Sequence, residues 1–436
     1  MDTTVSEVLQ FVRENDVKFI RLAFCDIFGT LKNIAVMAEE LPRAFEDGVC
    51  FDASAVRGFM RVDRSDLLLF PDPATLAVLP WRPQQGRVAR FFCSIRTPDG
   101  EPFDGDGRAI LQAAEEKARR MGLTCKIGAE CEFYLFETDE NGRPTRKTQD
   151  EAGYLDVAPQ DKGENVRRDI CLTLEQMGIR LESSHHEQGP GQNEIDFRYD
   201  EAAAAADHLV AFKSTVKAVA AKNGLYASFM PKPVPGASGS GLHINLSLFR
   251  GGQNIFRNSA SLHCPEAESF IEGILRRTPE MTALLNPLTN SYARLGRMEA
   301  PGWVTWSHQN RSQLVRIPPA AGEFARMELR SPDPACNPYL TYALLVYAGL
   351  EGIEKQLPLR KASDADAYTA CPDGPERLPQ TLEEAVRLAE ESAFLRQWLP
   401  EKILSAVFER QREEAALVAG AANPAEEEHR LYFRTV

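Results

Sequence analysis

The 436-residue chain has no Cys-x-x-Cys pair. Its nine cysteines (Cys25, Cys50, Cys93, Cys125, Cys131, Cys171, Cys264, Cys336 and Cys371) are scattered and odd in number. That spacing argues against a zinc ribbon or a redox dithiol and leaves reduced, buried thiols as the expectation. Positive charge is also short: 50 Lys+Arg against 63 Asp+Glu give a formal net charge of -13. A binder of phosphate backbones carries a basic footprint, so neither nucleic acid nor an anionic membrane surface is an expected partner. The apolar runs are too short and too interrupted to span a bilayer. The start, MDTTVSEVLQFVREND, lacks a basic segment followed by an apolar run, so no signal peptide is expected and a reducing cytoplasm fits. No GxxxxGK[ST] motif occurs, and the glycine cluster GASGSG precedes a strand instead of following one and opening a helix. P-loop and Rossmann nucleotide sites are therefore excluded.

Helical spacing of Val5, Val8, Leu9 and Val12 predicts a helix over 4–14, followed by a strand Val17–Phe24, a turn at Gly29 and a returning strand Leu31–Met37. Proline-rich punctuation ends near RTPDGEPF, which sets a boundary at 103, before a helical run Gly107–Met121. This gives two units, 1–103 and 104–436. After Pro379 the pattern is helical, TLEEAVRLAEESAFLRQWL, with a break at Pro400 before KILSAVFERQREEAALV.

Chemistry concentrates in short strands whose polar residues recur at period two. In KIGAECEFYLF, Glu130 and Glu132 share a face opposite Cys131, Phe133 and Leu135. Two such carboxylates repel unless one is protonated or a cation lies between them; a solvated pair at a sheet edge is the competing explanation. LESSHHEQGPGQNEIDFRY adds Glu187 and Glu194 across a glycine-proline loop, with Asp196 and Arg198 on the face of Glu194. GLHINLSLF aligns His243, Asn245 and Ser247, and a fourth strand, ARMELRSPDP, aligns Arg326, Glu328 and Arg330. Arg311 and Arg316 lie upstream in QNRSQLVRIPP. Five glutamates with one imidazole form an oxygen-rich donor set suited to Mg²⁺ or Mn²⁺. Arginines beside it suit a polyphosphate, so the set points to ATP phosphoryl transfer.

These motifs, in this order, resemble glutamine synthetase of the bacterial class I type. The resemblance spans nearly the whole chain, from RLAFCDIFGTLKN and CFDASAVRGFMRVDRSDLLLFPD through GAECEFYLF, HHEQGPGQNEIDF and FMPKPVPGASGSGLHINLSLF to NRSQLVRIP and MELRSPDPACNPYL. It implies an α+β fold: an N-terminal β-grasp domain, then a large catalytic domain built on a partial antiparallel barrel. It also implies a homododecamer of two hexameric rings, with active sites between neighbouring subunits.

By position, the resemblance assigns Glu132, Glu187 and Glu194 to one metal site and Glu130, His243 and Glu328 to another. Glu182, Tyr199, Asn245, Ser247, Arg311 and Arg316 fall at nucleotide positions. Ser238, Gly239, Arg294, Glu299, Arg311 and Arg330 fall where glutamate is held, beside the metal-site residues Glu132 and His243. Asp52 of the adjacent subunit and Tyr154 match the ammonium site. The implied reaction joins ammonia to L-glutamate at the expense of ATP, through γ-glutamyl phosphate. Three departures concern the amino-acid and amine side: Ala55 replaces a serine, Ser238 replaces an asparagine, and the flap Leu295–Met298 is one residue short. They keep open a γ-glutamyl–amine ligase acting on methylamine, ethanolamine or a polyamine. Arg61 matches an arginine linked to glutamine feedback in the shorter, α-type subfamily, a surface ion pair being the alternative. Tyr368, in DADAYTACP, lacks the setting of an adenylylated tyrosine. Regulatory protein partners are not specified by the sequence.

Overall fold

The computed structural model describes residues 3–256, 264–369 and 376–436; Cys371 lies outside them. The N-terminal helix Val5–Glu14 starts at a capping box in which Thr4 and Glu7 each satisfy the other's backbone N–H. Strands Val17–Cys25 and Leu31–Met37 follow, joined by a turn in which Gly29 adopts φ +79°. A side chain at Gly29 would also meet Asn337 Cα at 2.8 Å, so glycine is required twice over.

The first sheet runs Leu31–Met37, Val17–Cys25, Arg87–Arg96, Asp66–Pro71, Val49–Asp52, with Val17–Cys25 and Arg87–Arg96 parallel. This is the β-grasp domain. The second sheet has 11 strands and curls into a partial barrel flanked by helices. Its central strand, Thr124–Thr138, is flanked by Leu242–Arg250 on one side and Gln192–Phe197 on the other, both antiparallel. The pair Glu130/Glu132 therefore sits mid-sheet, not at an edge.

The period-two pattern separates two environments. Cys131, Phe133 and Leu135 are fully buried against the helices, where Phe133 and Phe212 of helix Ala202–Lys222 meet edge-on at 6.0 Å. Each such apolar side chain contributes about 1.5–3 kcal/mol by leaving water. Tyr134 and Phe136, on the carboxylate side, enter a smaller core with Met230, Leu288, Tyr432 and Phe433. The last two belong to a segment folded around a short helix, Pro424–Tyr432, that the sequence pattern had not indicated.

Two expectations need correcting. The helical run after Pro379 breaks at Ser392 as well as at Pro400, giving Leu382–Glu391, Ala393–Trp398 and Glu401–Gly420. Ser392 ends the first helix and caps the second by accepting from Leu395 N at 2.9 Å. The fourth strand is only Met327–Leu329, because the prolines at 332 and 334 lack the N–H that a ladder needs. Among the described residues no helix is long and apolar enough to cross a membrane.

Candidate functional site

Sheet register assembles the site. Across the central strand, Glu130 pairs with Asp196 on one side and His243 on the other, while Glu132 pairs with Glu194. On the next strand over, Asn245 pairs with Glu328, and Glu328 with Arg316. Residues distant in sequence thus project from one face as a lattice of carboxylates bordered by guanidinium groups. Most of them line a cavity of about 570 Å³, where Glu130, Glu132, Glu187, Glu194 and His243 face Arg311, Arg316 and Arg330; Asn245 and Glu328 lie behind its wall, bonded to Glu130 and to Arg316 and Arg330.

The donor atoms of Glu130, His243 and Glu328 lie within 4.8 Å of one another, as do those of His185, Glu194 and Asp196. Glu132 and Glu187 line the same cavity without joining either tight group; His185 Nε2 is 3.0 Å from Glu187 Oε1. Gln192 Nε2 and Gly241 N donate to Glu132 Oε2 at 2.7 and 3.0 Å, which fixes that carboxylate. Glu328, 1% exposed at its side chain, bridges Arg316 at 2.5 Å and Arg330.

The carboxylates differ in their hold on protons. Burial, and then the charges of Glu132 and its neighbours, push Glu194 well above the ordinary carboxylate range. Burial and the Glu130 charge raise Asp196, and burial raises Glu132 despite the attraction of His243. Glu130 goes the other way: burial opposes it, but hydrogen bonds from His243 and Asn245 hold it well below the usual range. Crowded carboxylates that favour protons also favour a divalent cation in their place, and these oxygen donors fit one.

A small annex opens off the cavity between Ser238, Gly239, Arg294 and Glu299. Arg294 is buried and donates to the carbonyls of Ser331 at 2.7 Å and Arg330 at 3.1 Å. At Gly239 a Cβ would stand 2.6 Å from Pro231 O, so the backbone itself forms the annex wall. Tyr154 stands on the cavity rim, its ring edge-on to His185 at 5.6 Å. Further along the sheet Ser247 lies opposite Lys126, whose ammonium is 5.2 Å from the Tyr199 ring and 4.6 Å from the Phe249 ring.

Besides Tyr199 and Ser247, the predicted residues Asp52, Glu182 and Arg61 stand apart from the cavity within this chain. Asp52 is exposed at the end of its strand and accepts from Ser54 N and Oγ; the hydroxyl bond chiefly lowers its pKa. Glu182 is exposed. Arg61 is exposed beside Asp63 at 3.2 Å.

Conversely, His185 and Gln192 had been overlooked, Arg326 had been aligned with Glu328 without a role of its own, and Tyr368 had been considered only as a modification site. Arg326 donates to Asn245 Oδ1 at 2.9 Å, and the Tyr368 hydroxyl donates to the Arg311 carbonyl at 3.1 Å. Burial raises the Tyr368 hydroxyl to about 12. Alternation within the strand had put Arg326 on the face of Glu328; no sequence signal places Tyr368, which arrives from a distant loop.

Comparison with known proteins agrees with this architecture. The family described as glutamine synthetase, catalytic domain, matches residues 104–430, and glutamine synthetase, β-grasp domain, matches residues 16–98. The chain belongs to the glutamine synthetase family. A glutamine synthetase of Clostridium saccharobutylicum is 47% identical over 408 residues, 92% of each chain. One of Methanosarcina mazei is 46% identical over 411 residues, again 92% of each. Among solved structures, a GmaS/ADP complex superposes with a TM-score of 0.87 at 31% identity, covering 97% of this chain and 98% of that one. Membership brings ATP-dependent ligase chemistry of the family's type, forming an amide bond on glutamate.

Proposed function

We propose that the chain uses ATP to join a small organic primary amine to the γ-carboxyl of L-glutamate. The observation that carries the phosphoryl-transfer half is a cavity in which six carboxylates and two histidines face four arginines. Glu130, His243 and Glu328 would hold one divalent ion, Mg²⁺ or Mn²⁺, and Glu132, Glu187 and Glu194 a second. Bound there, such ions supply positive charge against the phosphates. Glu182, Tyr199, Asn245, Ser247, Arg311 and Arg316 would seat the nucleotide. Ser238, Gly239, Arg294 and Glu299 would seat glutamate.

A γ-carboxylate oxygen of glutamate then attacks the γ-phosphorus of ATP, and the bond to the ADP oxygen breaks. Arg311, Arg316 and Arg330 offset the charge that spreads over the transferring group. The product, γ-glutamyl phosphate, is prone to hydrolysis, so closure of the flap carrying Glu299 excludes water. The amine nitrogen attacks the acyl carbon and inorganic phosphate leaves. Asp52 of a neighbouring subunit and Glu299 take the protons the amine must lose.

Apolar surface at the acceptor end favours an organic amine. Tyr154 and Met298 are 51% and 52% exposed beside Glu299, Ala55 lacks a hydroxyl, and the likeness to GmaS supports this reading. Ammonium is the second reading. The retained Asp52, Tyr154 and Glu299, and relatives that carry the name glutamine synthetase, favour it. Phosphate release with ATP, glutamate and each of methylamine, ethanolamine, a polyamine and ammonium decides between them. Higher kcat/KM with an organic amine is the expected result; preference for ammonium would overturn the acceptor assignment.

The same reading divides the chain at 103/104 and places it, as a class I α-type homododecamer, in the cytoplasm. Tyr368 is not adenylylated, its hydroxyl being engaged with Arg311. Arg61 is proposed as a feedback contact.

A further inference from the structure

A second cavity, of about 330 Å³, shares no lining residue with the first. Its walls come from the turn at residues 27–31, helix Ala202–Lys222, residues 284–288 at the end of helix Pro265–Leu285, the start of helix Pro338–Glu354 with the residues before it, helix Glu401–Gly420 and residues 435–436. Ile27, Val210, Leu284, Leu340 and Val407 make much of it apolar. Two ammonium groups line it. Lys213 Nζ donates to Pro334 O at 2.6 Å. Lys217 makes no hydrogen bond or ion pair among the described residues; its ammonium lies 5.8 Å from the Phe229 ring centroid. Burial, then the Lys213 charge, lowers the Lys217 pKa to about 8. Gln411, 3% exposed, gives its amide hydrogens to Ala283 O at 2.6 Å and Pro287 O at 3.2 Å. Its Oε1 is left buried with no hydrogen-bond partner. Arg410 and Glu414, also on the wall, are paired with each other at 2.7 Å through Glu414 Oε1, while Glu414 Oε2 is buried with no hydrogen-bond partner.

A bare ammonium and the unpartnered oxygens of Gln411 and Glu414 in a largely apolar chamber complement a small carboxylate that has an apolar body and a hydrogen-bond donor at its far end. The volume lies at the lower end of small-molecule pockets, about 300–1,000 Å³. We propose that this cavity is a binding site for such an amphipathic carboxylate, with Lys217 pairing its anion and Gln411 Oε1 accepting its donor. Its route to the active cavity is short. Pro334, whose carbonyl holds Lys213, lies four residues beyond Arg330. Asn337, also on the wall, donates to Ile27 O at 3.1 Å and ties the β-grasp turn to the same segment. This proposal does not depend on which amine the active site accepts.

The test is calorimetric titration of the full chain with 3-phenylpropionate and 3-(4-hydroxyphenyl)propionate. The expected result is saturable binding that survives saturating ATP and glutamate, and is tighter for the hydroxylated probe. Lys217→Met should weaken both probes by about ten- to hundredfold, while Lys217→Arg stays within a few-fold of the native chain. Gln411→Met should erase the advantage of the hydroxyl. Equal binding to the Lys217→Met chain, displacement by glutamate, or no binding of either probe up to about 10 mM would overturn the proposal.

Discussion

The two cavities differ in how the fold treats buried charge. In the active cavity, charges are bought in groups: Glu328 between Arg316 and Arg330, Glu130 between His243 and Asn245, Glu132 under Gln192 and Gly241 N. Sheet register brings those groups together, and the excess of carboxylates matches a bound cation. In the second cavity one of two ammonium groups, Lys217, has no hydrogen bond or ion pair among the described residues and lies near the Phe229 face and the charge of Lys213. One site is organised to gather opposite charges before any ligand arrives; the other leaves one charge for a ligand to complete. Lone buried charges are costly, so each arrangement makes its own demand on stability and function.

The largest break in this contrast comes from Glu328→Ala. It strands two guanidinium groups and removes a proposed metal ligand. The expected outcome is a loss of phosphate release of at least 10²–10³-fold. Stability should fall by about 3–5 kcal/mol in denaturant titration. An intermediate effect concerns metal and pH. The folded pKa values of Glu132, Glu194 and Asp196 are raised, so their stabilising contribution is complete below the ordinary carboxylate range and is lost as pH rises through the folded values. Glu130, whose pKa is lowered, partly opposes this. In chelator, Tm should therefore fall as pH rises from about 4 towards neutrality, and Mg²⁺ should flatten that slope and raise Tm. A metal-independent melting profile would count against a cation site.

The smallest effect sharpens the other side. The Lys217 pKa is depressed to about 8, so its contribution is present above the unfolded value and lost as pH falls through about 8. At pH 7, Lys217→Met should thus stabilise the chain by about 1 kcal/mol, and the gain should vanish near pH 10. A destabilised Lys217→Met chain would show that the ammonium already has a partner.

Legibility from sequence followed the same division. Alternation in KIGAECEFYLF and GLHINLSLF correctly separated the apolar face from Glu130, Glu132, His243 and Asn245, because a strand's period is local. Which carboxylate faces which is non-local: the pairing of Glu130 with Asp196 depends on two strands finding one register, and Gln192 is fixed only by that event. The family resemblance supplied the remaining candidate residues, whereas the places of His185 and Tyr368 beside the cavity residues emerged only from folding. The break at Ser392 was hidden because a capping serine is common inside helical patterns as well as at their starts. The second cavity was wholly illegible, since six segments far apart in the chain build it and none of their lining residues was singled out by a motif.

The central claim is that the acidic cavity activates the γ-carboxylate of glutamate as an acyl phosphate. Glutamate labelled with ¹⁸O in its γ-carboxylate tests it most directly, with ATP, Mg²⁺ and the preferred amine present. Mass spectrometry of the released phosphate should show one labelled oxygen per phosphate, transferred when the amine displaces it. Phosphate released without label would mean that glutamate oxygen never bonds to phosphorus, and would contradict the account.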